Sequence, residues 1–238
     1  LSLHRSESSG GRWMSTNKAA AGELRGLAPE MLNGQSAGAA RFEIVRPAGK
    51  FTCEGFFRNG KGAGSFEFQP SAEFRQEMRT LGYAEISEDK VFALAIHRFD
   101  PNFVREMRAA GMNTPTLDQL IAMNIHGVTS QYIGELRALG YTITSPNKLV
   151  AMRIHGVTPQ GIREIKSLGY ENLDADKLVA MRIHGASPEF IRQVASAGFS
   201  KVPVDQLITM RIHGVTPEYI RQMRSRGINV GIEKMVQM

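Results

Sequence analysis

At 238 residues and 42% hydrophobic content, the chain has the make-up of a globular protein of one or two domains rather than a disordered one. No stretch approaches the roughly 18 consecutive apolar residues of a membrane span, and the single cysteine, Cys53, excludes an internal disulfide framework. The formal charge of +6 is split evenly, +3 over residues 1–69 and +3 over residues 70–238, whereas a nucleic-acid binder usually gathers its positive charge on one face.

The chain begins at Leu1 with no leader to read, as expected of a processed product or a fragment. Residues 1–69 are rich in glycine and alternate apolar with polar residues. Leu1 to Arg5 and Arg12 to Thr16 are expected to pair as strands across the turn-rich SESSGG. Glu23 to Leu32 reads as a short helix or loop, ended by Asn33-Gly34. Three clearer strands are expected over Arg41 to Val45, Lys50 to Arg58 and Gly64 to Phe68. Pro47-Ala48-Gly49 and Asn59-Gly60 are the turns between them. Phe51, Cys53, Gly55 and Phe57 share one strand face, and Phe66 and Phe68 share another. Such a meander buries one face and wets the other. Pro70 marks the passage to helices.

From there the sequence repeats. LIAMNIHGVTSQYIGELRALGY from Leu120 returns as LVAMRIHGVTPQGIREIKSLGY from Leu149, LVAMRIHGASPEFIRQVASAGF from Leu178 and LITMRIHGVTPEYIRQMRSRGI from Leu207. A weaker copy starts at Val91. His97, His126, His155, His184 and His213 mark a 29-residue period with no insertion.

Within a unit, Asp174 and its equivalents Ser87, Thr116 and Ser145 are N-caps; Pro203 is the exception. Leu178, Val179, Met181 and Ile183 form the apolar stripe of a first helix, which His184-Gly185 ends. Ser187-Pro188 starts a second helix with an apolar stripe of Phe190, Ile191 and Val194, closed by Gly198. The residue after each closing glycine is apolar and is expected to clasp the residue five positions before it, as Phe199 would clasp Val194. Two such helices cannot bury their apolar faces alone, but stacked copies can. The expected fold class is therefore α+β: a small antiparallel β domain over residues 1–69, then an α-solenoid of five 29-residue two-helix repeats over residues 70–238. The β domain is expected to cover the N-terminal end of the stack, and Asn229 to Met238 to cap the other.

The histidine ladder is the first candidate for chemistry. A shared metal ion needs ligand nitrogens about 2.0–2.1 Å away, and stacked helices lie about 8–10 Å apart. Each histidine instead stands at a helix C-terminus, where a ring N–H can bond the last carbonyls. A structural role is favoured, and no HExxH or cysteine cluster points to a metal. Gly55 to Lys61 fits G-x-x-x-x-G-K, but Gly62 replaces the Ser or Thr of a phosphate-binding loop and strands flank it on both sides. A hairpin turn at Asn59-Gly60 explains it better.

Two arginine sets recur, Arg153, Arg182 and Arg211 on the first helix, and Arg105, Arg163, Arg192 and Arg221 on the second. Asn124 and Ala95 interrupt the former, Gly134 the latter. They read either as inter-repeat partners of Asp and Glu, which is favoured, or as a basic stripe for an anionic partner. Arrays that read nucleic acid base by base vary a reading position against a constant frame. Asn102, Gln131, Gln160, Glu189 and Glu218 vary too mildly for that. Met123, Met152, Met181 and Met210 are assigned to the core. No nucleophile has a plausible base and no carboxylate pair is set apart, so no catalytic residue and no cofactor are expected.

The stretch FEIVRPAGKFTCEGFFRNGKGAGSFEFQP together with the LVAMRIHGVTPEYI frame resembles uncharacterised bacterial repeat proteins, notably the extracytoplasmic C-terminal regions attached to BlaR-like membrane metallopeptidases. The resemblance implies a periplasmic or secreted setting and a sensing or binding role. The peptidase part is absent, so no catalytic residue carries over. The expected function is a non-enzymatic module that binds a protein or peptide partner, with the two arginine sets as a candidate interaction stripe. The alternatives are a subunit of an extracellular fibre assembling head-to-tail and a nucleic-acid-binding solenoid.

Overall fold

The computed structural model describes residues 2–6, 12–16, 21–112 and 114–237. The turn expected between the first two strands lies outside them, as does Met238. The chain forms two compact units, Leu1–Arg105 and Glu106–Met238. The change from strands to helices after residue 69 thus lies inside the first unit.

In that unit, β1 (Ser2–Ser6) and β2 (Arg12–Thr16) pair antiparallel. A 3-10 turn (Ala21–Glu23) and α1 (Pro29–Leu32) lead into β3 (Gly38–Arg46), β4 (Gly49–Arg58) and β5 (Lys61–Pro70), a three-stranded antiparallel sheet in sequence order. Arg58 pairs with Lys61, so Asn59-Gly60 is a two-residue turn; both have positive φ, 52° and 73°, the geometry that matches strand twist. The G-x-x-x-x-G-K stretch is therefore a hairpin.

Register assigns the faces. Phe51 lies opposite Ile44 and Phe68, and Cys53 opposite Phe42 and Phe66. Directly paired residues point to the same side, so Phe66 and Phe68 do not have a face of their own but complete that of Phe51 and Cys53. The sheet is followed by α2 (Ala72–Thr80), α3 (Glu88–Ile96) and α4 (Asn102–Ala109), inside which the division between units falls. α3 packs on β4 and β5. It inserts Phe92 among Phe51, Phe66 and Phe68, with ring centroids 5.2–6.0 Å away. On the other face Phe56 is left exposed.

The second unit continues with α5 (Leu117–Ile125), α6 (Ser130–Ala138), α7 (Pro146–Ile154), α8 (Pro159–Ser167), α9 (Ala175–His184), α10 (Pro188–Ser196), α11 (Val204–Ile212), α12 (Pro217–Ser225) and α13 (Ile232–Val236). Like packs on like: α5, α7, α9 and α11 form one layer, α6, α8, α10 and α12 the other, and α13 packs on α11.

Each helix starts and stops as its sequence dictates. Ser87, Thr116, Ser145 and Asp174 each accept the backbone N–H three residues on, while Pro203 caps with no side chain. Ser187 and the threonines at 129, 158 and 216 cap the second helices in the same way. At the far ends the N–H of Tyr141, Tyr170, Phe199 and Ile228 bonds the carbonyl five residues back, closing a Schellman turn over a left-handed glycine. Val128, Val157, Ala186 and Val215 do the same for the first helices. The four repeated methionines, 123, 152, 181 and 210, are at most 1% exposed and form the core with Leu120, Leu149, Leu178 and Leu207.

Candidate interaction surface

Three sets of fasteners join neighbouring repeats of the second unit, and they absorb most of its periodic charge. At the start of the first helices, Lys148 pairs with Asp176 at 2.8 Å and Lys177 with Asp205. Gln119 donates to Asn147 at the same spacing. At the end of the first helices, the Nε of Arg153, Arg182 and Arg211 donates to the carbonyls of His126, His155 and His184, at 3.2, 3.4 and 3.3 Å. The guanidiniums of Arg153 and Arg211 also lie 5.0 Å from the ring centroids of Tyr132 and Phe190. On the second helices, Arg137, Lys166 and Arg224 reach back to the carbonyls of Ala110, Leu139 and Gly198, at 2.8, 2.8 and 3.4 Å.

The first arginine set therefore acts between repeats, but on main-chain carbonyls rather than on Asp and Glu. Those carbonyls stand at helix C-termini, where they lack intrahelical donors and carry the negative end of the dipole. The second set behaves differently. Arg192 and Arg221 pair with Glu189 and Glu218 three residues earlier on their own helices, and Arg105 pairs with Glu77. Arg163 is exposed, and no side-chain bond holds it among the described residues.

The histidines join the same seam through their main chain. His126, His155 and His213 are C-cap residues and His184 is the last of α9, and the backbone carbonyls of His126, His155 and His184 are the ones that accept from Arg153, Arg182 and Arg211. The rings do not cap: at His126, His155, His184 and His213 the imidazole carries no hydrogen bond among the described residues. These four residues are exposed. His97 differs, being half-buried, and burial holds its imidazole below the ordinary value. Among the described residues no group of three His, Cys, Asp or Glu is placed to hold a metal. Cys53 is buried in the sheet, and burial pushes its thiol pKa up, away from the reactive thiolate.

What remains at the surface is a row of isoleucines. Ile125, Ile154, Ile183 and Ile212 occur once per repeat, each beside its histidine, and are 45%, 53%, 53% and 56% exposed. The equivalent Ile96, in the unit where α3 packs on the sheet, is only 4% exposed. Counting Ile183 with the buried stripe is thus corrected. It lies five residues after Leu178 and two after Met181, so on a helix of 100° per residue it points about 140° and 200° away from them. That angle was available in the sequence. The signal was masked because an apolar residue beside an apolar stripe reads as more of the same.

No helix is long and apolar enough to cross a membrane among the described residues. No protein-family model matches the chain, and no curated protein matches it significantly.

Proposed function

We propose that the chain is a non-enzymatic interaction module that binds an extended segment of a partner protein along the Ile125, Ile154, Ile183 and Ile212 row. The observation that carries this is the exposure of four register-equivalent isoleucines whose counterpart Ile96 is buried. An apolar side chain kept in water at every repeat gains nothing for the fold, whereas a row of them offers a partner about 1.5–3 kcal/mol per side chain covered. The spacing selects the partner. Packed helices lie about 8–10 Å apart. A polyproline-type segment presents the same face every three residues, about 9 Å. A β-strand presents it about every 7 Å and falls out of step within two repeats.

The test uses a proline-framed peptide, acetyl-(Leu-Pro-Pro)4-amide, against its Ser-Pro-Pro counterpart. Binding of the leucine peptide, lost at least tenfold in the Ile154→Asp, Ile183→Asp double variant with an unchanged melting temperature, is the expected result. Equal binding of both peptides, or undiminished binding by the variant, rejects the reading.

A second reading is self-assembly. β5 is an edge strand, and Lys61 to Ser65 are exposed along it. It predicts a mass by light scattering that climbs with concentration and falls back when Ala63→Pro is introduced on that edge. An extracytoplasmic setting is proposed on the resemblance alone.

A further inference from the structure

The fasteners on the second helices have a gap. Arg79, Arg108, Arg137, Lys166 and Arg224 stand at one register position, 29 residues apart or a multiple of it, and Ala195 is the member of the series that is not a cation. Arg137, Lys166 and Arg224 each donate to a C-terminal carbonyl of the preceding second helix. Where the residue after the closing glycine is aromatic, the cation also lies over the ring: Lys166 Nζ is 5.6 Å from the centroid of Tyr141, and Arg224 Cζ is 4.7 Å from that of Phe199.

At the Ala195 junction the receiving half is complete. The ring is Tyr170, held in place by its hydroxyl, which donates to the Val202 carbonyl at 2.7 Å. The carbonyl is that of Leu168, the C-cap of α8, which accepts no bond among the described residues. A cavity of about 480 Å³ is lined by Leu168, Tyr170 and Ala195; the equivalent cavity at the preceding junction, about 630 Å³ and lined by Leu139, Tyr141 and Lys166, carries its own cation.

We propose that the cavity at Ala195 is a binding site for a cationic side chain, a lysine or arginine of a partner protein, which takes the position that Lys166 and Arg224 occupy at the neighbouring junctions. The ring face attracts the cation and the unpaired carbonyl at the negative end of α8 accepts its N–H. Two cations share the rim, Arg192 and Lys201. Arg192 is turned onto Glu189, and both are exposed, so their repulsion is screened by solvent. The site stands independently of the isoleucine row.

The test titrates the full chain with acetyl-Gly-Lys-Gly-amide and follows its NMR signals, with the norleucine peptide as a control of equal length and no charge. The expected result is saturable shifts centred on Leu168, Gly169, Tyr170 and Ala195, with about a tenfold preference for lysine. Ala195→Lys supplies the missing cation from within. It should abolish the shifts and raise the melting temperature, while Ala195→Ser should keep them. Equal response to both peptides, shifts centred elsewhere, or undiminished binding by Ala195→Lys overturns the proposal.

Discussion

The two units hold themselves together in opposite ways. In Leu1–Arg105 the sheet is joined to its helix by one aromatic cluster, Phe51, Phe66, Phe68 and Phe92, gathered from two strands and a helix. Each member is used once. In Glu106–Met238 the same few bonds recur from repeat to repeat at separations of 27 or 28 residues. The repeat unit even contains its own deletion experiment. Ala195 removes one second-helix fastener, yet α8 and α10 still pack, and the first-helix bonds from Arg182 and Arg211 remain in place on either side. A sheet concentrates its risk in a few residues; a repeat array spreads it over nearest neighbours.

The largest expected effect is therefore in the sheet. Gly55 and Gly64 face each other across β4 and β5, and a Cβ on Gly64 would collide with the Glu54 carbonyl oxygen and the Gly55 Cα. Because those obstacles are backbone, no rotamer relieves them. Gly64→Val should cost about 3 kcal/mol or more and abolish hydrogen-exchange protection throughout β3–β5. Retention of protection in β4 would show that the sheet tolerates damage as the repeats do.

A core truncation in the repeats supplies the contrast. Met152 is fully buried in α7, and Met152→Ala should cost about 2–5 kcal/mol. The loss should stay local. Exchange should quicken in α5, α7 and α9, the helices that touch, and leave α12 near its wild-type rate. Uniform acceleration across the unit would mean that it unfolds as one cooperative block.

The same contrast explains how much was legible in the sequence. A repeat prints its architecture many times over, so helix ends, N-caps, Schellman clasps and buried methionines all follow from one unit. The two-residue turn at Asn59-Gly60 was legible for a similar reason, since its geometry is local. The common face of Phe51 and Phe66 was not, because cross-strand register depends on turn length and two strands at once. The acceptor of Arg153 was hidden more deeply. A carbonyl has no side-chain identity, so a sequence pattern of charges suggests Asp and Glu and cannot display a bare helix end. The column that Ala195 breaks was not read from the sequence, because nothing in a row of cations shows that Lys166 and Arg224 share one task.

The smallest effect probes one inter-repeat bond by pH. Tyr132 is buried, and its hydroxyl donates to the Val157 carbonyl of the next repeat at 2.9 Å. Burial pushes the phenol pKa up to about 12 from an ordinary 10.0, against the opposing pull of the Arg153 guanidinium beside it. The neutral phenol is thus the form the fold keeps. Above the ordinary value the unfolded chain loses its proton first, so the folded state binds more protons and stability falls as pH rises. The contribution is fully present below about pH 10 and is lost progressively towards about pH 12. Tyr132→Phe removes both the bond and the titration. At neutral pH it should cost about 1 kcal/mol. Between pH 10 and 11.5 the wild type should lose its advantage in urea midpoint over the variant, while the alkaline losses common to both proteins cancel. A gap that stays constant or widens with pH would mean that the hydroxyl is already solvated, and that the Arg153 stack rather than the Tyr132 bond joins these two repeats.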